Sequence, residues 1–191
     1  MEGITQKQAD VIAEVANICI GNAATALSLM TNRPTNITTP LVEVLDKEEL
    51  SLNDHLLVKV PYTKGLEGTN LMILKSEDAL IIANLMMGGN GDSTGMEFNE
   101  ITISAITEAM NQMCGRIATS MSEILHKPTD IGFPLINSKY KTTFVIPDEL
   151  CNGTDIVKVT FRLTVDNLIN STIWQLYPLN IVKQILNQED L

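Results

Sequence analysis

The sequence predicts an α/β fold made by pseudo-twofold duplication, with two long helices packed on a continuous antiparallel or mixed sheet. Three observations predict it. Residues 10–40 and 104–134 align without a gap at an offset of 94, with eleven identities in 31 positions. Each copy opens on a helix-period apolar pattern that stops before a proline, Pro34 or Pro128. Each is then followed by several alternating or β-branched runs and one short closing helix, an order that builds layered α/β structure. Two copies are too few for a solenoid, so the expected organisation is one domain, residues 1–191, of two repeats at about 5–87 and 99–188.

The elements follow in chain order. Thr5 with Gln8 makes a capping box for the first helix. The runs NITTPLVEVL, HLLVKVPY and EGTNLMILK read as strands, with a turn near Lys64-Gly65, and SEDALIIANLMM closes the half as a helix. The segment GGNGDSTG, residues 88–95, reads as a helix stop and linker. It lacks the Gly-Lys-Ser/Thr of a P-loop and the alternating ligands of an EF-hand. Asn99 is the expected N-cap of the second long helix. After it, DIGFPLI, KTTFVI, DIVKVTFRLTV and STIWQLYP read as strands and LNIVKQIL as the last helix.

Composition narrows the function. Hydrophobic residues are 45% and charged residues 19%, enough for one sizeable core. The net charge of −10 and the lack of a Lys/Arg cluster argue against nucleic acid and anionic membranes as partners. Such a surface suits a partner that presents Lys or Arg. The cysteines, Cys19, Cys114 and Cys151, are odd in number and widely spaced, so neither a disulfide framework nor a zinc cluster is expected. The polar start MEGITQKQAD and the lack of an apolar run near 20 residues predict a cytoplasmic chain without membrane insertion. Cys19, Cys114, Met110, Met113, Met121 and Trp174 read as packing residues, and His55 and His126 as surface or loop residues.

The long helices carry the informative pattern. Ile12, Val15, Ala16, Cys19, Ala23, Ala26, Leu27 and Met30 fall on one side, as do Ile106, Ala109, Met110, Met113, Ile117, Met121 and Ile124. Opposite them lie Asp10, Glu14, Asn17, Gly21, Ala24 and Ser28, and in the second copy Ser104, Glu108, Asn111, Gly115, Ala118 and Ser122. Five of these six pairs are identical. A lone Glu-x-x-Asn on a helix is ordinary solvent-facing polarity; its repetition in register with a mid-helix glycine, which costs about 1 kcal/mol relative to alanine, is not.

This pattern, Asp/Ser-x-x-x-Glu-x-x-Asn with a proline 17 positions after the Asn, resembles the active-site signature of the CheC/CheX/FliY phosphatases. The phrases GNAATALSLMTNRPTNITTP and AMNQMCGRIATSMSEIL look closest to the CheC-like middle domain of the flagellar switch branch, FliY. The resemblance covers nearly the whole chain and implies either a stand-alone CheC-like protein or the core of a FliY. It implies hydrolysis of the aspartyl phosphate of a phosphorylated CheY-type chemotaxis response regulator. Asn17 and Asn111 would orient the attacking water, and Glu14 and Glu108 would pair with the regulator's lysine. Asp10 and Ser104 would make rim contacts, and Gly21 and Gly115 would permit close approach. No cofactor is expected on this chain; Mg²⁺ is expected in the partner regulator. Flagellar switch proteins or a CheD-type modulator are the further partners implied. Two other readings compete: a non-catalytic switch or signalling scaffold using the same faces only to bind, and a small-ligand domain with a pocket in its core.

Overall fold

A computed structural model describes residues 4–45, 54–137 and 155–187. In chain order its elements are α1 (Gln6–Thr31), β1 (Thr35–Leu45), β2 (His55–Lys64), β3 (Gly68–Lys75), α2 (Ser76–Met86), α3 (Glu100–Ile124), β4 (Asp130–Ile131), β5 (Leu135–Asn137), β6 (Ile156–Val165), β7 (Ile169–Pro178) and α4 (Leu179–Leu186). The expected strand KTTFVI and Cys151 lie outside the described residues.

Local chemistry sets the helix ends. Thr5 Oγ1 accepts from the Gln8 backbone N–H while the Gln8 side chain accepts from the Thr5 N–H, which satisfies two donors at the start of α1. Asn99 caps α3 in the same way, with Thr102 as its reciprocal partner. At the far ends, Asn32 and His126 take left-handed backbone conformations (φ 51° and 50°), which breaks each helix two residues before its proline. The serine repeated on each helix secures the exit. Ser28 Oγ donates to the Arg33 carbonyl at 2.7 Å, and Ser122 Oγ accepts from the Thr129 N–H at 2.9 Å.

Among the described residues the sheet is antiparallel and ordered β1-β6-β7-β3-β2-β4, with β5 also paired to β2. This order is a palindrome of the two halves. β3 and β7 meet at the centre, Leu71 opposite Leu176. The outermost strand on each side comes from the other half: β1 pairs with β6, while β4 and β5 pair with β2.

Prolines mark the irregular places. Pro40 lies where β1 shifts register against β6, at the sheet edge, where a missing N–H costs least. Pro61 cannot donate to the ladder, and opposite it the expected strand DIGFPLI is split into β4 and β5; Gly132 N–H reaches the Pro61 carbonyl at 2.8 Å instead.

The core lies between the helices and one sheet face. Val157, Val159, Phe161, Leu163 and Val165 of β6 point into it with strand period two. Ile12, Cys19 and Leu27 of α1 and Ile106, Met110, Met113 and Met121 of α3 meet them there. Burial pushes the Cys19 and Cys114 thiols up to about 12, so both are neutral packing groups. The other sheet face holds a smaller cluster, Leu57, Leu71, Ile73, Ile156 and Leu176. Trp174 borders it, stacked on His55 at 5.1 Å, with Lys158 Nζ 5.0 Å above its ring. His55 is therefore not the surface residue expected: it is the half-buried ring partner of Trp174.

By length and composition α1 also passes as a membrane span, contrary to the expectation that no run comes close. Half of the relevant window is buried inside the protein, because one side packs on the sheet and α3. That is the behaviour of a core helix.

One buried carboxyl gives a pH-dependent signature. Asp78, in the first turn of α2, accepts a hydrogen bond from Ser171 Oγ on β7. Burial raises its pKa above the ordinary 3.8, more than the Ser171 bond and Lys75 lower it. The folded chain therefore holds this proton at pH values where the unfolded chain has lost it. That favourable linkage is present at acid pH and is lost as pH rises through the folded-state pKa, so Asp78 costs stability at neutral pH. Asp78→Asn, which can still accept from Ser171, should unfold at higher urea than wild type at pH 7. Its advantage should shrink as the pH falls towards about 4; an advantage that grows on acidification would refute the assignment.

Candidate functional site

The repeated polar faces lie where the wheel predicts, with one exception. On α1, Asp10, Glu14 and Asn17 are exposed; on α3, Ser104 and Glu108 are exposed and Asn111 is half-exposed. Acid and amide stand three residues apart in both copies, one above the other on the helix surface. Among the described residues no hydrogen bond ties either amide to the protein. Each is an open carboxamide, offering one carbonyl oxygen and two N–H donors to whatever arrives.

The exception is Ala24 and Ala118, which are 4% and 9% exposed rather than solvent-facing. β1 returns along α1 and β4 along α3, so these small side chains leave room for the chain's own strands. The repeated alanine, like the repeated serine, has an internal explanation.

The repeated glycine has no such explanation. A Cβ built at Gly21 or Gly115 meets nothing within 4 Å. Both glycines lie one turn beyond the amide and keep its face low. Gly21→Ala and Gly115→Ala should each raise the unfolding free energy, by about 1 kcal/mol, because alanine is the better helix former and no atom has to move. Urea denaturation measures this; a loss of stability in either variant would show an internal role for the glycine.

The two faces are held in fixed relation. α1 and α3 pack side by side, and Asn22 Nδ2 donates to Ser120 Oγ at 2.7 Å across the seam. This pair lay hidden in the sequence because neither residue is repeated: their counterparts are Arg116 and Ala26. Beside the second face, a shallow groove of about 450 Å³ runs between α3 and β4, lined by Gly115, Thr119, Glu123 and Asp130. A concavity of about 700 Å³ elsewhere is lined by His55, Glu77, Leu80, Met96 and Phe98, away from both faces. Among the described residues no cluster of His, Cys, Asp or Glu is arranged to hold a metal ion. An acid beside an unengaged amide on an open helix can do two things: pair with a cation of an incoming protein, and fix a water by hydrogen bonds without deprotonating it.

Known proteins resemble this chain in sequence and in fold. The model of the CheC-like family matches residues 8–44 and 101–132, which include both faces. The flagellar motor switch phosphatase FliY of Bacillus subtilis is 40% identical over 98% of this chain, and the match takes in 50% of that protein. The CheY-P phosphatase CheX of Thermotoga maritima is 36% identical over 44% of this chain and 51% of its own length. The chain thus spans about half the length of the curated relatives it matches. The crystal structure of Thermotoga maritima FliY superposes with a TM-score of 0.84 at 35% identity, covering 97% of this chain and 96% of that one. The FliM middle domain of H. pylori shares the fold at 14% identity, with a TM-score of 0.73.

Proposed function

The chain belongs to the CheC-like family, and from that membership we propose that it hydrolyses the aspartyl phosphate of a CheY-type response regulator. The observation that carries this reading is the pair of open amides, Asn17 and Asn111, each with an exposed acid three residues before it. Relatives named as phosphatases, FliY and CheX, support it at the level of the family.

Water attacks phosphorus in line with the bond to the aspartyl oxygen. A P–O bond to water forms, the acyl P–O bond breaks, and the regulator's aspartate leaves as a carboxylate. The proton shed by water passes to the phosphate or to solvent. Charge on the equatorial oxygens is compensated by the Mg²⁺ and lysine of the regulator itself, so this chain needs to supply orientation rather than charge. The Asn17 or Asn111 carboxamide holds the water in line, as a glutamine does in GTPases. Glu14 or Glu108 pairs with the regulator's lysine and sets the helix in register. Asp10 and Ser104 touch the rim, and Gly21 and Gly115 let the regulator's backbone come close.

Phosphate release from a phosphorylated CheY-type regulator, followed with and without this chain, tests the proposal. Acceleration of release is expected. Binding without acceleration would favour the scaffold reading, in which the same faces only hold the regulator. Flagellar switch proteins or a CheD-type modulator would then be the assembly partners, as they remain under either reading.

A further inference from the structure

Resting on that phosphatase reading, we infer that the two faces bind the regulator unequally, and that Ile18 and its counterpart Gln112 set the difference. Ile18 lies four residues after Glu14 and three before Gly21, so it stands on the ridge between the acid and the glycine. It is 44% exposed, a large aliphatic side chain on the flank of the polar face, beside Glu14. Leu29, eleven residues on and therefore on the same stripe, is 72% exposed. The matching positions on α3 are Gln112 and Glu123, both polar and exposed.

The difference reaches the acids. Gln112 Nε2 donates to Glu108 Oε1 at 2.8 Å, so on α3 the carboxylate is already engaged by its neighbour. Isoleucine has no such donor, and among the described residues Glu14 carries no side-chain hydrogen bond. A regulator docking on α1 meets an unengaged acid and takes Ile18 out of water, which favours binding. On α3 it must share or displace the Gln112 bond and desolvate an amide, which opposes binding. α1 is therefore the high-affinity face and α3 the low-affinity one. The occupant is the phosphorylated regulator, through a surface that sets an apolar side chain beside its cation. Paired with one weak face, a strong face lets the protein respond over a wider range of regulator concentration than two equal ones.

The test isolates each face. Asn111→Ala leaves α1 as the only complete site and Asn17→Ala leaves α3. Titrating a regulator carrying Mg²⁺ and beryllofluoride, an acyl-phosphate mimic, gives Kd for wild type and for Ile18→Gln and Gln112→Ile; phosphate release from the phosphorylated regulator gives KM and kcat for each isolated site. Ile18→Gln should weaken the tighter Kd, and raise KM in the Asn111→Ala background, by about fivefold, with kcat nearly unchanged. Gln112→Ile in the Asn17→Ala background should lower KM. Both changes lie on exposed positions, so the thermal midpoint should stay within a few degrees of its parent. Equal affinity of the two faces, or an Ile18→Gln variant with unchanged Kd, overturns the inference even if hydrolysis is normal. A weakened Kd in a protein that never accelerates phosphate release keeps the inference and removes the phosphatase reading.

Discussion

Asn17→Ala and Asn111→Ala are each expected to lose part of the regulator-dephosphorylating activity, and the double variant nearly all of it. At saturating regulator each single variant should keep roughly half the rate if the two sites turn over independently. Without either amide the water is no longer held in line, and the rate above the regulator's own hydrolysis should fall by at least about 100-fold. Folding gives no competing explanation. Asn17 is exposed, Asn111 is half-exposed, and neither amide is bonded within the described protein. Alanine is also the better helix former by roughly 0.5 kcal/mol, so both variants should be at least as stable as wild type. A double variant of full activity would remove the amide from the mechanism.

Cutting the chain at the exposed Gly95 is expected to leave two pieces that do not fold alone but fold together. The reason is strand exchange. In a piece ending at residue 95, β1 has lost β6, its partner along Thr35–Leu45, and β3 has lost β7. In the complementary piece β4 and β5 have lost β2. The core residues Ile20 and Phe161, each fully buried, come from opposite pieces and line one continuous cluster. Each piece alone would expose an apolar face and unpaired strand edges, a state that aggregates rather than folds. Circular dichroism should show no cooperative transition for either piece and a native-like one for the mixture. A cooperative transition in one isolated piece would show that the halves are independent units.

Much of this architecture is written locally, and those parts were legible. Thr5, Gln8 and Asn99 announce helix starts because capping needs only neighbours in sequence. The repeated Glu-x-x-Asn was legible because a solvent face under no constraint does not keep its residues through a duplication. What stayed hidden depends on partners far along the chain. That β1 crosses to β6 leaves no trace in either strand, since both alternate as any half-buried strand does. Ala24 and Ala118 lie on the polar side of the wheel, yet returning strands bury them. The His55–Trp174 stack and the Asp78–Ser171 bond join residues about a hundred positions apart. The Ile18/Gln112 contrast is local, and the Gln112–Glu108 bond that gives it meaning joins residues only four apart on one helix.

The most direct measurement is an NMR titration with a CheY-type regulator held in its acyl-phosphate-like state by Mg²⁺ and beryllofluoride, following the side-chain amide groups of Asn17 and Asn111. The two-face site predicts that Asn17 shifts or broadens first, with backbone signals around Glu14, and that Asn111 and the signals around Glu108 follow at higher regulator concentration. Binding that perturbs some other surface, with both amides unmoved at saturation, would contradict it.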